Sequence, residues 1–170
     1  MKLPILTYPD PVLARKARPV EALTPEIRAL INDMIETMYE GDGVGLAAPQ
    51  VGRSIRLVVL DQTGPKRREE LIVLANPEIV ACDGEMDSEE SCLSVPGFKV
   101  PLRRKQTVRV RGQDREGRPI ELAASDYLAV IIQHELDHLD GVLILDRAGR
   151  LKRGLYEKKV KKWQERKEPA

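Results

Sequence analysis

The sequence predicts an α+β fold, and three observations predict it. Short apolar runs recur between Ile55 and Leu122 with Gly, Pro and Asp turns between them, the pattern of antiparallel strands. One helical pattern precedes these runs, from Thr24 to Gly41, and one apolar helical run follows them, from Tyr127 to Leu139. Strands gathered between helices, instead of alternating with them, point to antiparallel sheets packed around a buried helix. At 170 residues the chain fits a single domain with a sizeable core, and no repeat or linker divides it.

The opening segment, Leu3 to Val20, carries Pro4, Pro9, Pro11 and Pro19, so it is expected to run as an extended arm anchored by Leu6, Val12 and Leu13. Thr24-Pro25-Glu26 supplies a cap, a proline at the first helical position and an acid in the first turn. Ile27, Leu30, Ile31, Met34, Ile35 and Met38 then follow at helical spacing as core, and Gly41 is the stop. From Gly41 to Gly52 the side chains shrink to Gly and Ala, which marks a sharp turn or a close approach by another backbone or a ligand. No Gly-Lys-Ser/Thr follows, which excludes a phosphate-cradling loop. Gln50 is the one side chain here with both an amide donor and an acceptor.

Strands are expected over Ile55–Asp61 and Leu71–Asn76, joined by the charged loop from Gln62 to Glu70. Pro77 interrupts before Ile79–Cys82, where Cys82 reads as packing in an alternating strand, and Asp83-Gly84 turns the chain. Val108–Arg111 and Pro119–Leu122 pair across Asp114-Arg115-Glu116-Gly117. Ser125 is the expected cap of the last apolar helix and Gly141 its end. The tail from Arg147 to Ala170 sets Leu151, Leu155, Val160 and Trp163 among lysines and arginines, a basic amphipathic helix frayed from Lys167 onward. Residues 151–170 therefore present either a solvated charged face or a contact for an acidic partner such as RNA.

With a net charge of +1 and 32% charged residues the chain has an ordinary soluble composition. No apolar run approaches the roughly 20 residues of a membrane span, and the N-terminus lacks the features of a signal peptide, so a cytoplasmic location is expected. Two cysteines, Cys82 and Cys92, make no disulfide framework.

The chemistry concentrates in Gln133-His134-Glu135-Leu136-Asp137-His138. Residues four apart on a helix lie one above the other, so His134 and His138 offer two imidazoles to one metal ion. Glu135, beside the first of them, reaches the ion's neighbourhood without being a ligand. Both histidines of the chain fall in this motif, and the apolar residues Tyr127, Leu128, Val130, Ile131, Ile132, Leu136 and Leu139 surround it as in a core helix. Burying its polar side chains without partners costs roughly 1 to 3 kcal/mol per group, and a metal is the simplest compensation. A tetrahedral site needs a third protein ligand. A third histidine three residues after Gly141 is excluded by Ile144; Glu157 is available but lies in the basic tail; Cys92, in Glu89-Glu90-Ser91-Cys92-Leu93-Ser94, offers a thiolate suited to zinc or ferrous iron.

Three separated blocks, Gly43-Val44-Gly45-Leu46-Ala47-Ala48-Pro49-Gln50, Glu90-Ser91-Cys92-Leu93-Ser94 and Gln133-His134-Glu135-Leu136-Asp137-His138, resemble in order and spacing the signature motifs of the peptide deformylases, over most of the chain to about residue 150. The resemblance implies removal of the formyl group from N-formylmethionine at the start of nascent polypeptides. It implies a divalent ion held by Cys92, His134 and His138, with Glu135 as catalytic acid-base and with Gln50 and the Leu93 N–H binding the oxyanion. Ferrous iron is the implied physiological ion, with zinc, nickel or cobalt as substitutes. Gly43, Val44 and Gly45 are expected to pair with an extended peptide, Glu90 and Ser91 to border it, and Val44, Tyr127, Val130 and Ile131 to wall the methionine pocket. Ser91 stands where the family usually has glycine; a left-handed backbone there would strain a serine by roughly 1 kcal/mol or more. The implied partners are formylated nascent chains, and the basic tail suggests contact with the ribosome. The rival readings are a metallo-endopeptidase using the same helix and a binding protein with a structural metal.

Overall fold

Thr24 opens the first helix as its sequence demands: the hydroxyl accepts from the Ile27 N–H at 3.2 Å, and α1 runs over Pro25–Glu40. The computed structural model describes residues 1–167. Along the chain α1 is followed by β1 (Gly45–Ala47), β2 (Leu57–Leu60), the short α2 (Gly64–Arg67), β3 (Ile72–Asp83), β4 (Met86–Cys92), β5 (Val95–Arg104), β6 (Thr107–Gln113), β7 (Pro119–Ser125), α3 (Asp126–Leu139), the short α4 (Ile144–Arg147) and α5 (Arg150–Lys167). The strands form an antiparallel five-stranded sheet in the order β1-β2-β3-β6-β7 and a separate β4-β5 hairpin.

In β2 all four side chains are buried, because the strand is covered on both faces. Val58 and Leu60 point to α3, packing with Ile132, Leu136 and Leu139. Leu57 and Val59 point the other way, to Leu30, Ile31, Met34 and Met38 of α1. A third cluster joins Phe98, Val100 and Leu102 of β5 to Leu143, Ile144 and Leu145 around α4 and to Tyr156 and Val160 of α5. The opening arm straps these layers together through backbone hydrogen bonds: Leu6 N to Gln50 O at 2.7 Å, Tyr8 N to Ser94 O at 2.8 Å and Ala17 N to Leu139 O at 2.8 Å.

Several expectations are corrected. Pro77 does not end a strand: β3 continues past it, with a register shift against β6 between Ala75 and Glu78. The irregularity accommodates a residue without an N–H, and Asn76 turns the chain there at φ 52°. The β4–β5 hairpin was not foreseen, since β4 is polar and β5 contains Pro96 and Pro101. Cys82 is exposed and does not pack, as is Val80, because the far end of β3 runs beyond the helices. Ser125 stands at the N-cap of α3 without a side-chain cap bond; the helix entry is held by the Asp126 N–H on Gln106 O at 2.9 Å. In α5 the inward face is Tyr156, Val160 and Trp163, spaced i, i+4, i+7, whereas Leu151 and Leu155 are 78% and 59% exposed. Residues 168–170 of the expected frayed end lie outside the described residues. Among the described residues no helix is long and apolar enough to cross a membrane.

Asn76 also ties the arm to the sheet, with Oδ1 accepting from Val20 N at 2.7 Å and Nδ2 donating to Val20 O at 2.9 Å and to Gln113 Oε1 at 2.9 Å. At roughly 1 kcal/mol per hydrogen bond plus the left-handed penalty for a Cβ residue, Asn76→Ala is expected to lower the urea unfolding free energy by about 2 to 4 kcal/mol. Asn76→Gly, which keeps the backbone turn, is expected to lose less.

Candidate active site

α3 carries His134 and His138 on one face, their rings 5.2 Å apart between centroids. Cys92 ends β4 and comes to meet them: the sulfur and one ring nitrogen from each histidine all lie within 4.8 Å of one another. The Sγ of Cys92 is 3.4 Å from His138 Nε2. Bonds of about 2.3 Å to sulfur and 2.0 to 2.1 Å to nitrogen at a tetrahedral angle place the two donors about 3.5 Å apart, so the spacing and the donor chemistry both fit one ion. Glu157 is held by Arg153 on α5 at 3.0 Å and is not part of this cluster, nor is any fourth donor among the described residues.

A buried charge network fixes the ligands. Glu90 Oε1 lies 3.0 Å from His134 Nδ1, which leaves Nε2 of that ring for the ion and sets the tautomer. The same carboxylate accepts from Arg104 Nε at 2.8 Å, Arg104 Nη2 at 2.7 Å and the Ser88 hydroxyl at 2.6 Å. Arg104 also reaches Asp137 at 2.8 Å, and Arg147 closes on Asp137 with contacts of 2.6 and 2.7 Å. Burial by itself would raise the Glu90 pKa; the hydrogen bonds from Arg104, His134 and Ser88 outweigh it and hold the group down at about 2. Asp137, expected to be compensated by a metal, is compensated by the two arginines. Glu90, expected to border the substrate, lines the cavity and has both oxygens engaged by Arg104, His134 and Ser88.

Glu135 is the opposite case. It is buried, its Oε1 has no hydrogen-bond partner, and burial pushes its pKa up to about 7, with Glu90 and Asp137 adding to the rise against His134 and Arg104. It sits directly on β1, where a Cβ at Gly45 would come within 2.8 Å of the Glu135 carboxyl carbon. Beside it Gln50, 2% exposed, has its Oε1 accepting from Ala47 N at 2.9 Å and its Nε2 donating to Ser94 Oγ at 3.0 Å, with Cys92 Sγ at 3.7 Å.

These groups line a cavity of about 750 Å³. One wall is Gly43, Val44 and Gly45, the other runs from Met86 to Leu93, and Tyr127, Val130, Ile131, His134 and Glu135 of α3 lie between. The structure thus brings together the residues of the three sequence blocks and the α3 face, and leaves Glu157 outside. Tyr127 is 53% exposed at the mouth and is no core residue. Ser91 is not among the non-glycine residues with positive φ, which are Asp42, Arg68, Asn76 and Asp126, so the feared strain is absent.

Residues 2–154 match the family model described as polypeptide deformylase. The chain belongs to that family. Among its curated relatives, the peptide deformylase of Thermodesulfovibrio yellowstonii is 50% identical over 94% of this chain and 96% of its own. That of Desulfosudis oleivorans is 50% identical over 96% of this chain and 98% of its own. The crystal structure of a peptide deformylase from Legionella pneumophila superposes with a TM-score of 0.91 at 43% identity, covering 99% of this chain and 100% of that one. That from Ehrlichia chaffeensis in complex with actinonin does so at 0.87 and 35% identity, over 95% and 96%.

Within this deformylase fold, sequence reasoning missed Arg104 and Ser94. A signal existed for the first: Phe98, Val100, Leu102 and Arg104 alternate inward along β5, so an arginine occupies a core position and must find acids there. Gly45→Ala is expected to leave the fold intact but displace Glu135, lowering kcat by about 10²-fold or more in a steady-state assay. For Glu90, the folded pKa of about 2 lies below an ordinary glutamate's 4.5. Its contribution is therefore full above 4.5 and lost as pH falls toward 2. Urea unfolding between those values should show a shallower acid loss in Glu90→Gln than in the parent protein.

Proposed function

We propose that this chain hydrolyses the formyl group from N-formylmethionine at the start of nascent polypeptides, releasing formate and a free amine, in the cytoplasm. The observation that carries the reading is a Cys-His-His cluster beside a buried, unpartnered carboxylate in a cavity walled by the edges of two sheets. The family and the named peptide deformylase relatives support it.

Cys92, His134 and His138 would hold the divalent ion, which when bound would supply Lewis acidity toward a water and a carbonyl oxygen. Glu135, with a pKa of about 7, is matched to proton transfer at neutral pH: its free Oε1 accepts a proton from the attacking water and returns it to the departing amine nitrogen. Gln50 Nε2 and the Leu93 N–H donate to the formyl oxygen as it gains charge. β1 is the end strand of its sheet and β4 pairs only with β5, so each offers an edge to an extended peptide. Val44, Val130, Ile131 and Tyr127 line the cavity together, which supports reading them as the pocket for an unbranched methionine side chain. Ferrous iron is the proposed physiological ion, with zinc, nickel or cobalt as replacements; the thiolate and imidazole donors suit each of them.

Glu135→Gln with retained metal is expected to lose about 10² to 10⁴ in turnover of a formylated Met peptide, and Gln50→Ala about 10² to 10³. A loss below about tenfold for Gln50→Ala removes it from the mechanism. Metal content and deformylation by anaerobically prepared protein, with Cys92→Ala alongside, test the ligand set and the ion together. An internal-cleavage peptide hydrolysed faster than the formylated one would favour the endopeptidase reading.

A second proposal concerns α5, whose exposed lysines Lys158, Lys159, Lys161 and Lys162 suit contact with the ribosome where nascent chains emerge. Deleting the helix would remove Tyr156 and Val160 and uncover the β5 residues they cover, Phe98 and Val100 among them, so neutralising these lysines is the cleaner test. Co-sedimentation with ribosomes is expected to weaken with salt and with the four substitutions; unchanged co-sedimentation ends the proposal.

A further inference from the structure

We infer that Ser94 is a positioning residue, whose hydroxyl fixes the direction in which the Gln50 amide presents its second N–H, the one on the Cys92 side, to the reacting carbonyl. The inference rests on the reading of Gln50 as an oxyanion donor. A glutamine amide has two nearly isosteric orientations, one offering a donor and the other an acceptor. Only the first stabilises developing negative charge; the second repels it. The neighbours of the amide therefore decide whether it assists the reaction or opposes it.

Both ends of the Gln50 amide are specified. Oε1 faces the Ala47 N–H at 2.9 Å, a group that can only donate. Nε2 carries two hydrogens; one is taken by the Ser94 Oγ at 3.0 Å, and the other is left toward Cys92 Sγ at 3.7 Å and the cavity. The two N–H bonds of a planar amide diverge at a fixed angle, so holding one aims the other. Ser94 is fully buried, and among the described residues Gln50 is the only side chain hydrogen-bonded to its hydroxyl. The backbones of both residues are held by the same arm, since Leu6 N bonds Gln50 O at 2.7 Å and Tyr8 N bonds Ser94 O at 2.8 Å. Pinning group and pinned group thus share one support. Without the hydroxyl the terminal torsion, which is soft and broad, lets the amide swing toward the sulfur.

The test is a double-mutant cycle on the metal-loaded enzyme with Ser94→Ala, Gln50→Ala and the pair. Ser94→Ala is expected to lower kcat about tenfold with KM changed less than about twofold, while metal content and melting temperature stay close to the parent. In the Gln50→Ala background the same substitution should cost less than about twofold, because a residue acting through Gln50 has nothing left to act on. Ser94→Thr, which keeps the hydroxyl, should recover most of the lost kcat. In zinc-loaded protein the Gln50 side-chain amide protons should give two NMR signals whose separation changes in Ser94→Ala, as the proton bonded to the hydroxyl loses its acceptor. An equal loss in both backgrounds, or unchanged Gln50 amide signals, overturns the inference while leaving the reading of Gln50 intact. A loss below tenfold for Gln50→Ala alone overturns the reading of Gln50 itself and the catalytic role of Ser94 with it.

Discussion

One guanidinium holds the two halves of the site in register. The sulfur ligand comes from the β4–β5 hairpin and the two imidazoles from α3, and the hairpin shares no strand pairing with the main sheet. Arg104, only 5% exposed, donates from β5 to Glu90 on β4 and to Asp137 on α3. Glu90 lies two residues before Cys92, and Asp137 immediately precedes His138. A planar fork of donors therefore sets the spacing between the two ligand-bearing backbones, which a single flexible ammonium could not do. Buried ion pairs contribute little net stability against an apolar replacement, because desolvation offsets most of the attraction. Their use here is geometric.

The same network separates the roles of two neighbouring glutamates. Glu90 accepts from three side chains and is held ionised, so it serves as a fixed acceptor for His134. Glu135, next in sequence to that histidine, is buried without a donor for its Oε1 and is pushed up to about 7. Two carboxyls of one chemical type are thus driven in opposite directions by their surroundings alone. The distinction depends on what reaches each oxygen across the fold.

That is also where the sequence stops being legible. The capped α1 and the histidine pair of α3 could be read because their logic is local, resting on spacings of three and four along one helix. The hairpin could not: β4 buries a glutamate where a pattern reader looks for an apolar residue, and β5 is broken by two prolines. The Arg104 partner of Glu90 is fourteen residues away on the facing strand, a pairing that no local spacing shows. In α5 the leucines drew attention to one face while Tyr156, packed tilted against Phe98 with its hydroxyl on Pro96 O, placed the other inward. The spacing around the histidines left Cys92 and Glu157 both open as third ligand, and only the approach of β4 to α3 separates them.

In the proposed reaction, the contact between Gly45 and Glu135 puts strand pairing and proton transfer at one place. A peptide aligned on the edge of β1 is fixed in steps of about 3.3 Å per residue, so a shift of one residue moves the reacting carbon by more than a bond-forming distance. Because no side chain separates the Gly45 backbone from the Glu135 carboxylate, the alignment of the peptide and the location of the proton carrier are set by the same atoms. Behind Glu135, α3 turns Ile132, Leu136 and Leu139 into the core, which fixes the helix that carries the carboxylate.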